Sequence, residues 1–475
     1  MFRTERSLTP IRVNSGIWLL FLVVLLAVFL AGCRSAVTPE PQNLTGAGSA
    51  AVPLESAKIE LPLENPEQSV FTAPEITREA EINPQPSPPA VDYFDSEYPA
   101  GSINFAIPLT LRHVGADRAV LFFELDEPSE GRLVYKSQTL DSYEGGEIQL
   151  DPEETRHLIE LEGLTPGADY AAKVLLGNEE DGFSEPLFLD ESWGVVEFGT
   201  ITAGEPLRVG VIGDASFGDQ ATEQLVELMA DYNLDFVLNT GDVVYEADSA
   251  DLYASYSEKF FQPFKPLLKN GPVYTVMGNH DYDRAVMWQE APFYDHAFPP
   301  FEDPAFGYPA ERRGNQFYGL AFGDLQFLML DSQAIFGAGG REVQDAWMKD
   351  RLADPRYRYT IPVFHVSPYS SSIVHPDDGD PVRLSWNYLF EAARVPLVFS
   401  GHFHHYERLS ANGITYIVSG GGSSTLYAQG GPLQESHLYV PRTHFVLLEI
   451  YPDRIELGAI AKEGDTFDRA TIMLE

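Results

Sequence analysis

The chain has 475 residues, long enough for two or three domains. Its 71 acidic residues against 31 basic ones give a formal charge of −40, which excludes binding of DNA or RNA by the general surface, because that binding needs Lys and Arg to neutralise phosphates. The single cysteine, Cys33, excludes an intrachain disulfide, and a phosphate-bearing substrate would have to be attracted locally, by bound cations.

The first segment carries Arg3, Arg6 and Arg12, then the apolar run GIWLLFLVVLLAVFLAG, closing on Leu30-Ala31-Gly32-Cys33. The run is short for a spanning helix. It resembles a bacterial lipoprotein signal peptide over residues 1–32, which implies cleavage before Cys33 and lipid on that thiol. An uncleaved signal anchor is the alternative. Both readings place the rest of the chain outside the cytoplasm, tethered to a membrane of the bacterial cell envelope. Residues 34 to 100 hold eleven prolines, PQPSPPA being the densest piece, and read as a semi-extended, disordered linker.

From 101 to 203 the pattern is of short strands: FAIPLTLRHV, AVLFFELD, GRLVYKS, HLIELEGL, YAAKVLLG and VVEFGTITA, separated by Gly, Pro and Asp turns. This spacing predicts a small antiparallel β-sandwich. The piece LIELEGLTPGADYAAKVL resembles the fibronectin type III pattern, with Leu164 in the core and Tyr170 as the corner tyrosine.

From 204 to 475 the pattern changes again. The runs LRVGVIGD, FVLNTGD, VYTVMGNHD, LQFLMLDS, IPVFHVS, VPLVFSGH and ITYIVSGG are nearly continuous in apolar residues, and helical stretches such as DQATEQLVELMADYN fall between them. Such strands are buried on both faces, which predicts an α/β domain. Five of the runs end in a candidate metal ligand: Asp214, Asp242, Asn279 with His280, His365, and His402. Ligands gather at the carboxyl ends of strands in α/β sheets. In GHFHHYER an extended backbone would turn His402 and His404 to one side and Phe403 to the other. Mixed oxygen and nitrogen donors suit Fe, Zn or Mn and argue against a soft copper site.

The blocks GDAS, GDVVYEAD, GNHD, VFHVSPY and GHFHHYER, in that order, resemble the five motifs of the calcineurin-like metallophosphoesterase superfamily, and Tyr245 after Asp242 narrows the resemblance to the purple acid phosphatases. The resemblance implies an αββα sandwich preceded by the small β-sandwich. It implies that Asp214, Tyr245 and His404 bind Fe(III), that Asp242 bridges two metals, and that Asn279, His365 and His402 bind a divalent Fe, Zn or Mn. It further implies a phosphomonoester substrate, a metal-bound hydroxide as nucleophile, and His280 and Asp242 as catalytic residues, His280 serving the leaving alkoxide. Wider relatives carry His where Ser216 stands, and the resemblance implies that Tyr245 replaces that missing ligand. A phenol with pKa about 10 ionises near neutrality only beside a highly charged ion, which favours Fe(III). His405 reads as a solvated loop residue, and Tyr406, Glu407 and Arg408 as a brace for the loop. His296, Arg312, Arg313, Tyr369 and His375 are candidates to line the pocket. The alternatives are a phosphodiesterase or nucleotidase on the same site, and a non-catalytic surface-binding lipoprotein.

Overall fold

The computed structural model describes residues 93–94 and 96–474, apart from 140–143, 203, 246–251, 283–290, 300–305, 310 and 313–315. The expected signal peptide, Cys33, most of the linker and Arg313 lie outside the described residues. Among the described residues no helix is long and apolar enough to cross a membrane.

The first body is built from β1 (Phe105–Val114), β2 (Arg118–Leu125), β3 (Gly131–Ser137), β4 (Gly145–Gln149), β5 (Arg156–Glu162), β6 (Asp169–Asn178), β7 (Gly182–Ser184) and β10 (Val196–Gly199), with a short ladder of β8 (Leu187–Phe188) and β9 (Glu191–Ser192). One sheet has the order β1-β2-β5; the other runs β10-β6-β3-β4, with β7 added to β6. In β5 every second side chain is buried, the pattern of a strand with one face on a core. The sheets close over Ile107, Leu121, Phe123, Leu133, Tyr170 and Phe198. Tyr170 is wholly buried. Its hydroxyl accepts from the Thr165 amide at 2.8 Å and donates to Glu144, a tie back to the turn before the strand.

The second body has two sheets. One joins β11 (Leu207–Ile212), β12 (Phe236–Asn239) and β13 (Val273–Thr275) in parallel to one another, and continues through the antiparallel strands β21 (His444–Ile450), β22 (Arg454–Ala461) and β23 (Thr466–Met473). The other has the order β14-β15-β16-β17-β19-β18-β20, from β14 (Tyr318–Phe322), β15 (Leu325–Met329), β16 (Tyr359–Val366), β17 (Leu397–Gly401), β18 (Tyr406–Ala411), β19 (Ile414–Ser419) and β20 (Ser436–Val440). Val209, Val211, Phe236 and Leu238 of the first sheet pack on Phe327, Ile361, Val363, Phe399 and Ile417 of the second in one apolar layer.

Helices cover the outer faces. Helix α1 (Gln220–Ala230) buries Thr222, Leu225, Val226 and Met229, one face at helical spacing, and its N-cap Asp219 accepts from the Thr222 amide at 3.0 Å. On the other side α2 (Arg341–Leu352) and α3 (Gly379–Ala392) bury Trp347, Met348, Trp386 and Phe390 against Phe364 and Val398. The layers are therefore helix, sheet, sheet, helix, as the family resemblance implies. The strands β20 to β23 were not expected, and β21 to β23 supply half of the first sheet. The two bodies touch through aromatic rings. Phe188 of the small sandwich meets Phe261 edge-on, and the Lys265 ammonium lies over Trp193.

Candidate metal centre

Strands that run parallel deliver their following loops to one edge. Asp214 follows β11, Asp242 follows β12, and Asn279 follows β13; His365 lies near the end of β16, and His402 follows β17. Asp214, Asp242 and His402 hold positive φ, at 55°, 50° and 69°. Side chains there strain the backbone by about 1–3 kcal/mol each, and such strain concentrates at functional sites. Gly278 makes the close approach possible, since a Cβ there would sit 2.1 Å from Asp242 Oδ1.

The residues form two adjoining clusters. In one, Tyr245 Oη lies 3.1 Å from Asp214 Oδ1 and 2.9 Å from His404 Nε2. In the other, Asn279 Oδ1 lies 3.0 Å from His402 Nδ1 and 3.2 Å from His365 Nε2. Asp242 sits between them: its Oδ1 is 3.3 Å from His365 Nε2 and accepts from the His280 amide at 2.9 Å. Asp214, Asp242 and His365 offer ligand atoms all within 4.8 Å of one another. The described structure thus brings together all seven residues expected to bind metal, with His280 at their border and its ring 4.5 Å from that of Tyr245.

Each imidazole has its outward nitrogen pinned by an acceptor. His365 Nδ1 donates to Thr240 O at 2.9 Å, and His404 Nδ1 donates to Thr425 O at 3.0 Å. His402 Nε2 donates to Asp378 Oδ2 at 3.0 Å. A neutral imidazole with one nitrogen donating turns a lone pair out of the other. Three lone pairs therefore face the carboxylates of Asp214 and Asp242, the Asn279 carbonyl and the Tyr245 oxygen. Acceptors crowded at 3 Å need a cation or a proton between them.

The titration behaviour of the metal-free chain agrees. Burial pulls the His365 pKa down, but the Asp242 and Asp214 carboxylates outweigh it and raise it to about 9, so a proton occupies the gap between acceptors. Burial works against ionised Asp242, yet His365 and His280 hold its carboxyl well below the ordinary range. Burial and the Asp214 charge push the Tyr245 phenol well above its usual value. A cation bound here would reverse that balance and stabilise the phenolate. Donors of this kind, a phenol, two carboxylates, an amide oxygen and imidazoles, fit a hard or borderline ion pair.

Several expectations need correction. His402 and His404 do not converge by strand alternation: residues 402–405 form a succession of bends between β17 and β18, and the two rings serve different clusters. His405 is not solvated. It is fully buried, stacked on Tyr439 with ring centres 4.0 Å apart, and its Nε2 lies 3.2 Å from Glu407 Oε2. Tyr406 and Arg408 both bond Asp468, at 2.6 and 2.7 Å, so the brace reaches β23. Of the proposed pocket residues, His296 faces Glu124 of the small sandwich at 2.6 Å, Arg312 donates to Phe317 O, and Tyr369 is buried against Asn387. Among the described candidates, His375 lies beside the site, its ring centre 5.2 Å from that of His402. Ser216 is wholly buried and its hydroxyl bonds none of the described groups. Nothing in the sequence marks Asp378, one of three aspartates in HPDDGD; its pairing with His402 exists only in three dimensions.

Residues 207–406 match the calcineurin-like phosphoesterase family. The chain is 27% identical over 213 residues to probable purple acid phosphatase 20 of Arabidopsis thaliana, spanning 43% of this chain and 47% of that protein. It is also 27% identical over 237 residues to a nucleotide pyrophosphatase/phosphodiesterase of Hordeum vulgare, spanning 43% of this chain and 61% of that one. The chain thus spans about half the length of the curated relatives it matches. In fold it is similar to purple acid phosphatase PPD1 from yellow lupin (Lupinus luteus) seeds, with a TM-score of 0.61 and 18% identity over 77% of this chain and 74% of that one.

Proposed function

We infer that this chain, whose residues 207–406 match the calcineurin-like phosphoesterase family, is a dinuclear-metal phosphomonoester hydrolase of the purple acid phosphatase type. The observation that carries the reading is the ring of inward lone pairs: three imidazoles, two carboxylates, one amide oxygen and one phenol, all turned on a shared space. Asp214, Tyr245 and His404 would hold Fe(III), Asn279, His365 and His402 a divalent Fe, Zn or Mn, and Asp242 would lie between the two.

When bound, the cations supply Lewis acidity toward phosphoryl oxygens and bring the pKa of a water toward about 7, so that a hydroxide nucleophile exists near neutrality. The chain's own contributions are geometric. Backbone amides orient the carboxylates: His402 N donates to Asp214 Oδ2 and His280 N to Asp242 Oδ1, each at 2.9 Å. The half-buried His280 ring leans on Tyr245 at the border of the site, where it can hold a proton for the departing alkoxide oxygen. Phe217 stacks on Tyr245 at 3.7 Å, and Tyr427 on His404 at 4.1 Å, fixing both rings and screening them from water.

The strand order of the small sandwich and the Tyr170 tie support a fibronectin type III-like domain in a positioning role. The basic start, the apolar run and the LAGC ending support a lipidated Cys33 and work outside the membrane. Cys33→Ala should release the chain from membranes; retention in the membrane fraction would favour the signal anchor.

Rates of p-nitrophenyl phosphate and bis-p-nitrophenyl phosphate hydrolysis by the metal-loaded protein test the activity. The reading expects the monoester to be cleaved faster. A faster diester would move the protein to the phosphodiesterase reading, and neither would leave a binding protein.

A further inference from the structure

The outward nitrogens of the three imidazoles are not held alike. His365 is pinned by the Thr240 carbonyl and His404 by the Thr425 carbonyl, both parts of the backbone. His402 is pinned by a side chain, Asp378 Oδ2 at 3.0 Å. The Asp378 carboxylate is 42% exposed, while the imidazole it holds is 10% exposed. His375 Nδ1, itself 48% exposed, shares the same oxygen at 3.4 Å. Asp378 caps the entry to α3 and bonds none of that helix's amides with its side chain, so capping does not account for its orientation.

We propose that Asp378 is a positioning residue for the second cation site: its carboxylate fixes the tautomer and rotation of His402, so that the Nδ1 lone pair faces Asn279 Oδ1. This rests on the dinuclear-metal reading above. His402 can rotate or exchange tautomers if Nε2 loses its acceptor, whereas His365 and His404 cannot without breaking a bond to the main chain. The Asp378 charge also raises the basicity of the ring that it holds, which strengthens its bond to a cation. The consequence is an asymmetry. The site of Asn279, His365 and His402 depends on one replaceable side chain at the protein surface, and the site of Asp214, Tyr245 and His404 does not.

The test is metal competition against a chelator on the whole protein, comparing wild type, Asp378→Asn and Asp378→Ala, with the visible spectrum recorded in parallel. Asp378→Ala should weaken the second cation by about 10–100-fold. Asp378→Asn, which keeps an accepting oxygen without the charge, should fall between it and wild type. The absorption from the Tyr245 site should be unchanged in both, which separates local loosening from misfolding. Equal affinity in wild type and Asp378→Ala would overturn the proposal while leaving the dinuclear reading intact. Equal loss of both cations would overturn it too, by showing that Asp378 supports the whole fold. A wild-type protein that binds no second cation would overturn both.

Discussion

His402 Nδ1 and Asn279 Oδ1 lie 3.0 Å apart, and the proton of that imidazole is committed to Asp378 on its far side. Two acceptors in contact cost free energy unless something positive joins them. The same relation recurs at His365 Nε2, which faces both Asn279 Oδ1 and Asp242 Oδ1.

Tyr245→Phe removes one oxygen and keeps the ring that stacks on Phe217. The fold should hold. The iron-loaded wild type should be violet from phenolate-to-iron charge transfer, and the variant should lose that band while keeping the second cation. The visible spectrum of the two proteins, at matched iron content, checks this.

His280 touches the site through its backbone amide and through its ring against Tyr245. His280→Ala keeps the amide. Metal content should therefore stay at the wild-type level, while kcat for a monoester falls by about 10²–10⁴-fold. Loss of metal in this variant would make His280 a ligand.

Gly278→Ala tests the packing that brings two loops together. The added methyl would lie 2.1 Å from Asp242 Oδ1 and 2.3 Å from the Asp242 amide nitrogen, and the backbone atom cannot rotate away. The variant should lose about 1–3 kcal/mol of stability and bind both cations poorly. Urea unfolding and metal analysis on one preparation measure the two effects.

His444 offers a pH test away from the ligands. It is fully buried, donates from Nδ1 to Arg442 O at 2.8 Å and lies 3.3 Å from the Ser419 hydroxyl. Burial lowers its pKa to about 4, against about 6.5 in the unfolded chain. Between those values the unfolded state holds the extra proton, so stability falls as pH drops from about 6.5 to 4. The loss from this residue is on the order of 3 kcal/mol. Urea midpoints of the metal-free protein across this window should fall less steeply for His444→Gln than for wild type.

Legibility in the sequence followed the range of each interaction. The apolar runs gave the parallel strands, because burial on both faces leaves a continuous signature, and the Gly-Asp, Asn-His and Gly-His endings marked the loops that meet. What failed depended on contacts distant in the chain. The bend at His402, with φ of 69°, broke the alternation argument for His402 and His404. His405 looked solvated because nothing near it in sequence announces Tyr439 stacked on it. Asp378 was invisible for the same reason. The antiparallel strands 444–450 and 454–461 carry no candidate ligand at their carboxyl ends, so that FVLLEI, although an apolar run, lacks the signature that marks the strands of the site.

The central claim is best tested by quantifying metal per chain in the purified protein, with Asp242→Asn measured alongside. The account predicts two metal ions per wild-type chain, one of them iron, and loss of both in Asp242→Asn. A wild-type protein that binds one ion or none under saturating iron and zinc, or an Asp242→Asn protein that keeps both, would contradict it.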